Sequence, residues 1–339
     1  GDHVIGASRY FKLPEQWTRQ RESSRLANSI LLGLESLMGI AVIALMIILF
    51  VRQIRAGKIP WRRSLWVGAA LAVLMVLSEL NGIPLIYQRY LTSISISNFW
   101  ISVGVGLAVV PLLVGLFGWL AVALAASIYP DVWGIFRGAA RRVWRRDAVV
   151  AIVLSVAAAV GISQLIALIS NRFHAFAPVP IGIFSGPMDT TSPCIGVLVH
   201  ALIYTVLGAA VVGILIHLAR SGWRRRAWWI WPLALLILVS LGPSGAHSVR
   251  EYAAGWVTGF LPFAAAVAIA GWFFRTNILA YIGAIFCLQV AAPLVQLLSQ
   301  PAMFFRWNGA LLLVLTLLVL VWMLAAGSRI PVSEKPITD

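Results

Sequence analysis

Glu35 and Glu79 are the only carboxylates inside the long apolar stretches of this 339-residue chain. Held close together away from water, two such groups would share a proton or bind a cation, because low dielectric penalises two adjacent negative charges. Counted along their helices at 1.5 Å per residue, Glu35 lies about 12 Å and Glu79 about 10 Å below the same membrane face. Asn81 is half a turn from Glu79, and Gln164, His200 and Gln289 fall at comparable depths on other helices. These six residues define an expected polar chamber opening at that face. The competing arrangement has each one hydrogen-bonding a neighbouring helix or meeting headgroup water. His247 and Glu251, spaced i to i+4, stand at the outer mouth, where the spacing suits a metal, a proton relay or an ion pair with Arg250. One histidine and one glutamate do not complete a ligand set, so neither a metal nor a cofactor is expected. The sequence contains no H-E-x-x-H, P-loop, G-x-S-x-G or strand-borne G-x-G-x-x-G pattern.

Those depths presuppose helices that cross a bilayer, and the composition demands them. Hydrophobic residues make up 61% of the chain and charged residues 11%, against about 25% charged in a soluble domain. A β-barrel would need alternating strands of roughly ten residues, whereas the apolar runs here are long and continuous. The expected fold class is all-α, a polytopic transmembrane helical bundle. Runs near the required length of about 20 residues occur at 27–51, 64–86, 99–128, 148–170, 195–217, 228–242, 252–274, 277–297 and 308–327. That gives about nine spans, the third carrying Pro111 as a candidate kink. Residues 1–26 then form a juxtamembrane segment, 27–327 the transmembrane domain and 328–339 a tail. The chain opens on Gly1 without a signal peptide and reads as following a missing upstream region. Cys194 in a loop and Cys287 in a span predict no disulfide.

Charge sets the orientation. Of 26 lysines and arginines, 17 fall in alternate segments on one side, the expected cytoplasmic side. Five of the remaining nine lie within residues 1–26, where a long translocated domain would escape the charge rule. The amino end is therefore extracytoplasmic and the carboxyl end cytoplasmic. The net charge of +15 would suggest nucleic acid in a soluble protein. Confined to short loops, it indicates anionic lipid headgroups and no nucleic acid. Arg224, Arg225 and Arg226 abut a belt of tryptophans. Over 130–146, Arg137, Arg141, Arg142 and Arg145 favour one side of a helix, and Trp133, Phe136, Val143 and Trp144 the other. That pattern predicts an interfacial amphipathic helix lying on headgroups, with a solvated basic turn as the alternative.

Two stretches carry a resemblance. Residues 10–25, YFKLPEQWTRQRESSR, and 78–95, SELNGIPLIYQRYLTSIS, resemble the region preceding the catalytic core in large bacterial CPBP (CAAX protease and bacteriocin-processing) intramembrane proteases. Pro14, Glu15, Trp17 and Arg19 carry the first likeness, and Asn81, Pro84, Tyr87 and Thr92 the second. The juncture at 127–146, with Pro130 and Trp133, fits more loosely. The resemblance covers under a quarter of the chain and implies a bacterial inner-membrane protein with an extracytoplasmic amino-terminal part. Active members of that family carry Glu-Glu-x-x-x-Arg, and this sequence has no adjacent glutamates, so no residue carries over as catalytic. The implied role is a non-catalytic scaffold or a binder of a membrane protein or peptide substrate. The alternatives are a hydrolase using unconventional residues, such as Glu79 with His200, and a carrier for a lipid-linked or small cationic substrate.

Overall fold

A computed structural model describes residues 15–16, 25–88, 90, 93–130, 132–135, 142–173, 190–224, 249–269 and 277–325, together with 231, 234, 235, 237 and 238. The described residues are helical, with turns between. In chain order the helices are α1 (Arg25–Arg55), α2 (Trp61–Asn81), α3 (Ile83–Gln88), α4 (Ile96–Ile128), α5 (Val132–Ile135), α6 (Arg142–Phe173), α7 (Pro193–Arg224), α8 (Val249–Ile269), α9 (Ile278–Ser299) and α10 (Met303–Ala325). Seven of them, α2, α4 and α6 to α10, are long and apolar enough to cross a bilayer. Large side chains stand outward along them, with Leu112 69% and Trp66 72% exposed. Soluble proteins rarely expose apolar patches beyond a few hundred Å², and so many outward leucines, valines and tryptophans fit a lipid surround. The protein is a multi-pass helical membrane protein.

Local chemistry fixes the ends of these helices. α1 stops at Gly57, whose positive φ of 64° is a left-handed C-cap. The Gly57 N–H bonds the Ile54 carbonyl at 2.9 Å, and the Lys58 N–H that of Gln53 at 3.2 Å. Ser95 caps α4 by accepting from the Asn98 N–H at 3.3 Å, and Asn277 caps α9 in the same way from Ala280. α2 ends at Asn81, short of the expected 86, because Gly82 turns the chain into the separate helix α3. α4 stays helical through Pro111 for 33 residues, about 50 Å at 1.5 Å per residue. It therefore outruns a hydrocarbon layer of about 30 Å.

Packing gives the directions. Leu45, Met46, Leu49 and Phe50 near the end of α1 pack on Leu124 of α4 and on Ile214 and Leu218 of α7, so these three helices finish together. Arg52, Arg55, Arg62, Arg63 and Arg220 gather there, and this is the basic end of the bundle. α7 is the hub, touching α2, α4, α9 and α10. Val199 and Ile203 meet Leu71 on one flank, while Val197 and Ala201 meet Phe286 and Val290 on another. α6 and α9 join through Ala148, Ala151, Leu279 and Ala280, and Ile269 at the end of α8 packs on the same cluster. α7 and α8 consequently both finish at the basic end.

The closest approach is between α2 and α4. A methyl added at Gly68 would lie 2.6 Å from both the Gly115 carbonyl oxygen and Trp119 Cβ. Gly68, Ala72 and Gly115 form a small-residue seam of the kind that lets helix backbones touch in lipid, where no hydrophobic effect drives helices together. Two buried hydroxyls bond along their own helices, Thr205 to the Ala201 carbonyl at 2.5 Å and Thr316 to that of Leu312 at 2.7 Å, whereas the buried Ser64 hydroxyl has no partner among the described residues.

Candidate functional site

At the end opposite the arginines, three polar side chains meet. Asn81 closes α2, and its side-chain oxygen accepts the Ser192 N–H at 2.8 Å while its amide donates to the Ser192 carbonyl at 3.0 Å. The Asn81 carbonyl accepts the Thr191 N–H at 3.1 Å. From α10, Asn308 Oδ1 accepts the Cys194 N–H at 3.2 Å and the Ser192 hydroxyl at 3.5 Å. The first N–H groups of a helix have no partner within it. Asn81 and Asn308 supply partners at the start of α7 and tie it to α2 and α10. Cys194, expected in a loop, is the second residue of α7 and is fully buried. It and Cys287 are free thiols packed in one apolar cluster.

The other chamber residues are placed as follows. Glu79 is half-buried two residues before Asn81. His200 is half-buried on α7, its ring centroid 4.2 Å from that of Tyr204, which is 49% exposed. Gln289 is half-buried on α9, and Gln164 is exposed on α6. Asn81 is the one member of the six whose side chain bonds another segment of the chain through a described contact. His247, Arg137, Arg141, Arg225 and Arg226 lie outside the described residues, as do the side chains of Glu35, Glu251, Arg142, Arg145 and Arg224. Residues 1–14, 174–189 and 326–339, and most of the expected span 228–242, are likewise outside. Among the described residues, no three His, Cys, Asp or Glu side chains gather as a metal site would require.

A cavity of ≈ 340 Å³ lies at the basic end. Its wall comes from the start of α2 (Val67), the end of α4 with Tyr129, the short helix α5, the middle of α7, the start of α9 and the end of α10. That volume is at the small end of the range for ligand pockets, about 300–1,000 Å³, and a mainly apolar lining with a few polar groups is typical of them. Tyr129 donates its hydroxyl to the Gly213 carbonyl at 3.2 Å. Burial pushes the Tyr129 phenol above its ordinary pKa, and the Arg220 charge draws it partly back. Trp133 also lines the cavity, and its indole N–H is buried with no hydrogen-bond partner among the described residues. An unmet buried donor costs about 1–3 kcal/mol.

Of the amphipathic pattern over 130–146, residues 131 and 136–141 lie outside the described residues. Val132–Ile135 is a helix of four residues, and from Arg142 onward the chain already belongs to α6. Trp133 turns to the cavity because the apolar ends of α4, α7 and α9 offer its ring a wall there. Sequence reasoning also missed Asn308 and Ser192. An asparagine near the start of one apolar run and a serine just before another were the available signals. No protein-family model, curated protein or solved structure matches the chain. Fold and site together define a class, a polytopic helical membrane protein with an internal apolar cavity.

Proposed function

We propose that the protein binds a membrane-embedded substrate without cleaving it, using the cavity at the basic end as its binding site. The observation that carries this reading is the cavity itself, walled by several helices. The likeness of residues 10–25 and 78–95 to the region preceding the core of CPBP-type proteases supports a binding or scaffolding role in a bacterial inner membrane. The proposed orientation places the amino end outside and the basic end in the cytoplasm, following the positive-inside rule. About nine crossings fit the connectivity, since α7 and α8 finish at the same end and the chain between them has to return.

The test is incubation of purified protein with membrane-anchored peptides and with membrane lipids, with and without chelator, read for both retention and cleavage. Retention of a ligand slim enough for the cavity, with no peptide cleaved, is expected. Cleavage abolished by chelator would replace this reading with the hydrolase.

A further inference from the structure

The cavity has one chemically distinctive wall. Leu202, Thr205, Ala209, Gly213 and Ile216 line it along a single face of α7. Residues three and four apart stack on one helix face, so Arg220, one turn beyond Ile216, continues that face out of the cavity. Arg220 itself is exposed. An occupant therefore meets apolar side chains in the interior and a guanidinium at the rim.

We propose that the cavity holds an acyl chain of an anionic phospholipid, with the phosphate group facing Arg220. This rests on the binding reading above and names its substrate class. Charge complementarity selects the occupant. A neutral chain would make no use of the guanidinium, and a peptide helix, about 10–12 Å across with its side chains, is too thick for a space of ≈ 340 Å³. Guanidinium groups bind phosphate oxygens through parallel N–H donors, and basic groups at a membrane surface favour anionic lipids.

The experiment uses the full chain in phosphatidylcholine vesicles carrying trace phosphatidylglycerol with a diazirine midway along one acyl chain. Parallel arms carry diazirine phosphatidylcholine and diazirine oleate. After irradiation, crosslinks are mapped by peptide mass spectrometry. Phosphatidylglycerol crosslinks should concentrate on the cavity walls of α7 and α9, about fivefold above the phosphatidylcholine probe. Ala209→Phe, which fills the cavity, should remove most of that labelling while leaving labelling of outward α4 residues unchanged. Arg220→Gln, at an exposed position with little risk to folding, should abolish the headgroup preference. Equal cavity labelling by phosphatidylcholine would overturn the anionic-lipid assignment and leave the binding reading standing. Cavity labelling by oleate alone would overturn the phospholipid. No cavity labelling by any probe would overturn both.

Discussion

At the Asn81 end of the bundle, polar side chains tie three helices together; at the arginine end, the helix ends leave an apolar cavity between them. Asn81 and Asn308 bond the first residues of α7 and the turn before it, so their chemistry is used up in holding three helices together. The Trp133 N–H is buried with no partner among the described residues. In an apolar bundle, then, the number of polar residues is a poor guide to a site. What marks the candidate site is open volume left between the ends of several helices. A second contrast lies within the basic half, where Gly68 has no room for a methyl and Gly213 does.

The heaviest loss should come at the seam. In Gly68→Ala the new methyl would sit 2.6 Å from the Gly115 carbonyl oxygen and Trp119 Cβ, so α2 and α4 must separate. Overpacking of this kind costs about 1–3 kcal/mol, and backbone on the opposing side places the loss near the upper figure. Thermal unfolding in detergent should show it, and an unchanged midpoint would break the claim of close contact. Asn308→Ala comes next. It strips the Cys194 N–H and the Ser192 hydroxyl of a shared acceptor, and loss of a helix cap costs about 0.5–2 kcal/mol. Hydrogen exchange at the first turn of α7 should rise in this variant while the start of α9, capped by its own Asn277, stays protected.

Much of this fold was legible in the sequence, because length and continuous hydropathy are local properties. The runs at 99–128, 195–217 and 277–297 correspond to α4, α7 and α9, although α7 extends to Arg224. What was not legible depends on pairing between distant segments. Asn81 reads as a chamber residue until Ser192, 111 positions away, is known to lie beside it. The seam at Gly68 was available as a small-residue pattern with Ala72, but its partner Gly115 sits on another helix. The cavity draws on six separate elements, none of which is unusual alone.

Gly213→Ala turns the glycine contrast into a change of sign. An added methyl at 213 would lie 3.5 Å from the Tyr129 ring, an ordinary contact. Replacing glycine by alanine within a helix contributes about 0.5–1 kcal/mol, largely through the unfolded chain. The variant should therefore melt slightly higher than the parent, opposite to Gly68→Ala. A loss of stability would mean that the cavity wall at Tyr129 is tighter than its geometry indicates.

The slightest change belongs to Glu79. It is half-buried close to the end of α2, with Leu77 and Leu80 near it both 46% exposed. Glu79→Gln keeps the size and hydrogen-bonding reach of the side chain and removes only its charge. Substitutions away from caps, cores and buried networks usually fall within about 0.5 kcal/mol, so the unfolding midpoint should barely move. A chamber in which Glu79 and Glu35 share a proton predicts the opposite, since neutralising one carboxylate would relieve or break a coupled pair. The unfolding midpoint of Glu79→Gln separates the two: one that matches the parent leaves Glu79 as a helix-end residue, and a shift well beyond about 0.5 kcal/mol would bring the chamber back.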